Sequence, residues 1–285
     1  MVCGNYNSCR SRRSCGGMNL SRVEKRKPFI IRKDWKIMKN TFVQAMKEKK
    51  SQLCVGLDPR PEKVQPDSIY EFCVDIVEKT SDYGFCYKPN TQYIMPLGFS
   101  EIRKLNEYIH EKGCLSISDH KLSDIGSTNK AALYWLSEMG FDAVTYSPFP
   151  GNIRETIENG KTYNLGVITL TLMSNPEADF FMKGVISGKQ GYEFIAEQIV
   201  KYEGFGAVIG ATCDGEDIRK IHSILEDQLI LSPGVGAQGG GLDIVRIFKE
   251  RTMVNVSRDI ITHGDPGKRA EYYQKLINGV LQEKR

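Results

Sequence analysis

The sequence predicts an α/β fold, a single (β/α)8 TIM barrel. Eight short apolar, β-branched runs recur after residue 50, and an amphipathic stretch follows each without a break in the rhythm. Charged or polar residues close several of those runs, and a barrel gathers its strand ends at one mouth. A doubly wound open sheet, which usually has fewer strands, is the second choice.

The strand candidates in order are QLCVGLD (52–58), GFCYK (84–88), CLSISD (114–119), DAVTYS (142–147), LGVITLT (165–171), GAVIGA (206–211), LILSPG (229–234) and MVNVS (253–257). Between them lie helical patterns such as SEIRKLNEYIHEKG (100–113), where Ile102, Leu105 and Ile109 fall on one face. The last helix, 267–283, follows HGDPGKR, with Pro266 suited to a first turn. The longest connection, MSNPEADFFMKGVISGKQG (173–191), follows the fifth strand and has the length of a lid. No repeat or linker divides residues 38–285, which are expected to form one domain.

Apolar residues make up 40% of the chain and charged ones 26%, as in an ordinary globular protein, and no run approaches the ~18 apolar residues of a membrane span. The eight cysteines form no CxxC pair. Cys54, Cys73, Cys86, Cys114 and Cys213 lie in apolar segments, which reads as reduced thiols of a cytoplasmic protein. The net charge of +4 is unevenly spread. Residues 1–37 hold ten Lys or Arg against two acidic residues, so the remainder is net acidic. That leader reads as a disordered tail or an upstream start, although its Arg- and Ser-rich composition also suits a transit segment. The body carries no basic patch interleaved with aromatics, so neither a nucleic-acid nor a membrane partner is expected.

Two constellations stand out. Asp119, Lys121 and Asp124 in SDHKLSDIGST close the third run, and Lys88 closes the second beside it. On a strand, residues two apart share a face, so Asp119 and Lys121 would both point into the mouth while His120 points away. Alternating charges keep each group ionised where water is scarce. Taken alone, the pair reads first as a plain salt bridge, and Asp124 as a cap of the helix that begins near Gly126. The second constellation is SPGVGAQGGG (232–241) followed by VSRDI (256–260). The loops after strands seven and eight are where many barrels bind phosphate; Gln238 can donate its amide there and Arg258 can grip oxygens bidentately.

These motifs together resemble the orotidine 5′-phosphate decarboxylase family. Asp119, Lys121 and Asp124 match its DxKxxD motif, and DIGST extends the match to Thr128. LCVGLDP, ending in Asp58, is similar to its first strand, CYKPN with Lys88 to its second, and LMSNP with Ser174 to its base-contacting loop. SPGVGAQGG and SRDI match its phosphate-binding glutamine and arginine, Gln238 and Arg258. Ser257 stands where many members have glycine. The resemblance covers residues 50–260 and implies a cofactor-free, metal-free conversion of orotidine 5′-phosphate to UMP. It gives Lys121, Asp119, Lys88 and Asp124 catalytic roles and Asp58, Thr128, Ser174, Gln238 and Arg258 substrate-binding ones. It further implies a homodimer in which Asp124 and Thr128 serve the neighbouring subunit's site. The alternative is a magnesium-dependent sugar-phosphate lyase or decarboxylase of the same barrel group. A non-catalytic nucleotide-binding protein on this fold has no need of four alternating charges.

Overall fold

A computed structural model describes residues 35–236 and 240–283. The leader expected at 1–37 lies outside the described residues up to position 34, and helix α1 (Trp35–Lys49) crosses the boundary expected at residue 38.

Eight parallel strands close into a barrel: β1 (Leu53–Leu57), β2 (Cys86–Pro89), β3 (Leu115–Leu122), β4 (Ala143–Tyr146), β5 (Gly166–Leu172), β6 (Gly206–Ile209), β7 (Leu229–Pro233) and β8 (Thr252–Val256). Each pairs with its neighbour in sequence, and β8 returns to β1 through Leu53–Val254 and Val55–Val256. The strands are buried nearly throughout, on the barrel side and beneath the helices, which is why they read as continuous apolar runs. The outer layer comprises α2 (Ile69–Thr80), α3 (Phe99–Glu111), α4 (Gly126–Glu138), α5 (Ile153–Thr162), short α6 (Ala178–Met182), α7 (Gly191–Lys201), α8 (Gly215–Ile224), α9 (Asp243–Phe248), α10 (Arg258–Ile261) and α11 (Pro266–Gln282). On α3, Leu105 and Ile109 are buried as the periodicity required.

Helix α1 closes the N-terminal end of the barrel. Its Phe42 is fully buried and meets Phe205 and Phe85 edge-on, with ring centroids 5.0 and 6.4 Å apart. Met38 and Met46 join the same cluster with Ile117, Ile168 and Met253. Burying one such phenyl ring contributes roughly 1.5–3 kcal/mol, so α1 belongs to the barrel core.

The long connection after β5 is not a bare loop. It contains α6 and a small antiparallel hairpin, Val185–Ile186 against Lys189–Gln190, which turns at Ser187 and Gly188 with φ of 53° and 81°. Phe180 and Phe181 are exposed on it, and Phe181 meets Phe149 of the loop after β4 at 5.8 Å. No described helix is long and apolar enough to cross a membrane.

Candidate active site

The C-terminal ends of β1, β2, β3 and β8 bring the charged residues together. Lys88 ends β2 almost fully buried and donates from Nζ to Oδ2 of Asp119. Lys121 donates from Nζ to the other oxygen, Oδ1, at 2.7 Å. One carboxylate therefore holds two ammonium groups. Burial opposes the charge of Asp119, but Lys88 and Lys121 outweigh it and hold the carboxyl well below the usual carboxylate range. Burial likewise opposes the charge of Lys88, yet Asp119 and Asp58 prevail and its pKa is raised.

The route by which Lys121 reaches Asp119 differs from the regular strand expected. Between Ser118–Val144 and Leu122–Tyr146 the β3–β4 register slips, so four steps on β3 face two on β4. Lys121 itself takes a left-handed backbone, φ 52°. A bulge of this kind re-aims a side chain at the cost of ladder bonds. Thr145 of β4 offsets that loss: its Oγ1 accepts the Lys121 N–H at 2.9 Å and donates to Oδ1 of Asp119 at 3.1 Å. The Lys121 side chain remains 42% exposed, so its ammonium faces the mouth.

Asp124 does not join this row within the chain. It is exposed, and its Oδ1 accepts the N–H of Ile125 at 2.7 Å. Helix α4 begins at Gly126 with Ile125 as its N-cap, so Asp124 is not the cap either. Its backbone is pinned from below. Asn129, fully buried, accepts the Asp124 N–H at 3.1 Å and donates to its carbonyl at 2.9 Å, and Asn152 donates to the same carbonyl. The loop thereby holds Asp124, Ile125 and Thr128 outward, all exposed.

Two adjoining cavities share Lys88, Asp119 and Pro233. One, of about 240 Å³, is lined also by Lys121, Thr145, Leu170, Met173 and Ser174. The other, of about 190 Å³, carries Asp58, Arg60, Tyr93, Asn255 and Arg258. Ser174 packs so closely on β6 that a Cβ at Gly210 would lie 2.8 Å from its own. Arg258 opens α10 and is exposed at the rim. The glycine loop after β7 closes on itself through a Val235–Gly240 bridge; Gln238 lies outside the described residues. Tyr273, Arg269 and the carboxylate of Asp259 form a network behind this loop.

The remaining expectations are placed as follows. Cys54, Cys73, Cys86 and Cys114 are buried free thiols, and Cys213 is half-buried and free. His110 contacts Asp142, His222 meets Phe248 edge-on, and His263 is bound to Asp265; none of the three lines either cavity. Among the described residues, no cluster of three or more His, Cys, Asp or Glu is arranged to hold a metal. Thr145 and Asn255 escaped the reading of strand ends because both lie inside their strands. Alternation along β8, with Met253 in the barrel core, puts Asn255 on the inner face one layer higher, and that signal was available.

Such a fold and site define a barrel enzyme with a Lys–Asp–Lys cluster at its mouth beside a basic rim. Residues 51–273 match the orotidine 5′-phosphate decarboxylase / HUMPS family, and the chain belongs to it. A relative named orotidine 5′-phosphate decarboxylase, from Aromatoleum aromaticum, is 34% identical over 243 residues, covering 77% of this chain and 88% of its own. The structure of Leishmania donovani UMP synthase superposes with a TM-score of 0.73 at 25% identity, covering 86% of this chain and 56% of that one. The Methanocaldococcus jannaschii orotidine 5′-monophosphate decarboxylase, in complex with the inhibitor BMP, gives 0.66 at 25% identity, covering 81% and 98%.

Proposed function

We propose that the chain decarboxylates orotidine 5′-phosphate to UMP. The observation that carries this reading is the pairing of one buried carboxylate with two lysines at the junction of the two cavities. The family membership and the names of its relatives favour it over the sugar-phosphate alternative.

Breaking the bond between C6 and the carboxylate releases CO2 and leaves an electron pair in the plane of the pyrimidine ring, where the π system cannot absorb it. The surroundings must stabilise that pair electrostatically. An ammonium about 4 Å away contributes about 4 kcal/mol at an effective dielectric near 20, and more in a drier site. Lys121 supplies this charge and then gives its Nζ proton to C6. Asp119 holds Lys121 and faces the departing carboxylate. Lys88 and Asp58 bind ribose hydroxyls, Ser174 contacts the base, and Gln238 and Arg258 take the phosphate. Binding energy from that remote phosphate goes into orienting the base, so a substrate lacking it loses rate as well as affinity.

The homodimer belongs to the same reading. Asp124 and Thr128 are exposed, as residues offered to a neighbour are. Exposed apolar side chains, Ile125 beside Asp124 and the edge-on pair Phe99 and Trp135, give such a contact its core. A cytoplasmic location fits the free thiols.

The test is the ultraviolet absorbance of orotidine 5′-phosphate with the purified protein in EDTA, beside Lys121→Ala. Loss of the orotate band with the wild type alone is the expected result. A band that persists, or is lost only when magnesium is added, sinks the reading.

A further inference from the structure

The smaller cavity holds side-chain oxygens for which the described residues supply no partner. Oδ1 of Asp58, Oδ1 of Asn255 and Oγ of Ser257 are each buried and accept no hydrogen bond. All three residues line the same space of about 190 Å³. A buried polar atom without a partner costs free energy, and native structures keep few of them. Asp58 already has a place in the reading of the site, but Asn255 has none. Its side chain is more than nine-tenths buried, on the inner face of β8. In register it lies between Cys54 of β1 and Pro233 of β7. An asparagine here is therefore a poor choice for stability: a leucine, branched at the same carbon, would fill the layer above Met253 without a stranded amide.

We propose that Asn255 is a ligand-reading residue whose Oδ1 accepts a hydroxyl of the substrate's ribose. The chemistry of the cavity selects this partner. Of its cations, Lys88 is buried and already paired with Asp119, whereas Arg258 and Arg60 are the more exposed and lie where an anion would be taken. Deeper in, the free atoms of Asp58 and Asn255 are acceptors, which repel phosphate oxygens and call for O–H donors. Asp58 is acceptor-only as a carboxylate, and Asn255 adds an amide that both accepts and donates. Two acceptors in a small buried space suit vicinal hydroxyls. A site built to bond a hydroxyl discriminates against the ligand lacking it, because its own groups then stay unpaired. Asn255 thus contributes to selection of a ribonucleotide over a deoxynucleotide. This rests on the nucleotide reading of the site, which it deepens.

Asn255→Leu separates a ligand role from a structural one. Two measurements are made: the melting temperature of the ligand-free protein, and the affinity for UMP, 2′-deoxy-UMP and 3′-deoxy-UMP by calorimetry. The expected result is a melting temperature equal to or above the wild type, with UMP bound about tenfold more weakly. For one of the two deoxynucleotides the same substitution changes affinity less than about twofold, because the hydroxyl it reads is already gone. Asn255→Ser, which keeps a smaller acceptor, should recover part of the UMP affinity. Equal losses for all three nucleotides, or unchanged UMP affinity, overturn the assignment, as does a lowered melting temperature with binding intact. Failure of the wild type to bind UMP overturns the nucleotide reading itself and this inference with it.

Discussion

Lys121 and Asp119, two apart on β3, form an ion pair of 2.7 Å while Lys121 adopts a left-handed backbone. A side chain other than glycine in that region is strained, and surrounding bonds must hold it. Thr145 supplies those bonds, one to the Lys121 backbone and one to the Asp119 carboxylate.

Thr145→Val, which keeps the shape and removes the hydroxyl, should lower kcat about tenfold with little change in KM, since the loss of one buried partner costs roughly 1–3 kcal/mol. Thr145→Ser should restore most of it. Steady-state kinetics decide the matter; a Val variant with wild-type kcat shows that the bulge holds without the hydroxyl.

The charge cluster has a defined pH range. Asp119 has a depressed pKa, so its stabilisation is present above the unfolded carboxylate value of about 4 and is lost as pH falls through the folded one. Lys88 has a raised pKa, so its share is complete below about 10.4 and is lost as pH rises through the folded value. Asp119→Asn leaves two lysines facing each other and should cost about 3–5 kcal/mol near neutrality. In urea unfolding, the gap between wild type and variant should shrink below pH ~4. A gap that stays constant into acid contradicts the assignment.

Gly56 and Ser257 bring β1 and the start of α10 into close contact. A Cβ on Gly56 would lie 2.6 Å from that of Ser257. Gly56→Ala should therefore destabilise by about 1–3 kcal/mol, and adding Ser257→Gly should recover much of that loss. Thermal melts of the two single variants and the double one measure the coupling; additive effects would show that the backbone shifts instead.

Arg258→Ala should lower kcat/KM for the phosphorylated substrate about 10- to 100-fold, the range for losing hydrogen bonds to a charged group. Turnover of the nucleoside orotidine, which has no phosphate, should be unaffected. Parallel losses on both would place Arg258 elsewhere in the chemistry.

If Asp124 serves the partner's site, Lys121→Ala and Asp124→Ala are each inactive alone but complement when mixed and re-associated. A hybrid dimer then has one site with both residues intact, and statistical mixing should restore about a quarter of wild-type activity, read in the absorbance assay. No recovery, with hybrid dimers demonstrably formed, would return Asp124 to its own subunit.

The barrel was legible because buried parallel strands announce themselves as apolar runs, and Asp58, Lys88 and Arg258 because they stand at the ends of such runs. Asp119 and Lys121 were correctly brought together, but by a regular alternation that the structure replaces with a bulge. Side-chain period shows which face a residue takes on an ideal strand; it carries no record of a register slip, which depends on Thr145 across the ladder. Helix α1 was passed over because Phe42 and Met46 acquire their meaning only against Phe205 and Phe85, far along the chain. The pinning of Asp124 was equally hidden, since Asn129 and Asn152 read in sequence as ordinary surface amides.

Phe42 has a last consequence for traffic. With α1 packed across the N-terminal end of a filled barrel, both cavities beside Asp119 lie at the opposite end. In the proposed reaction, nucleotide entry, escape of the gas and departure of the product share that one mouth, so each must wait its turn there.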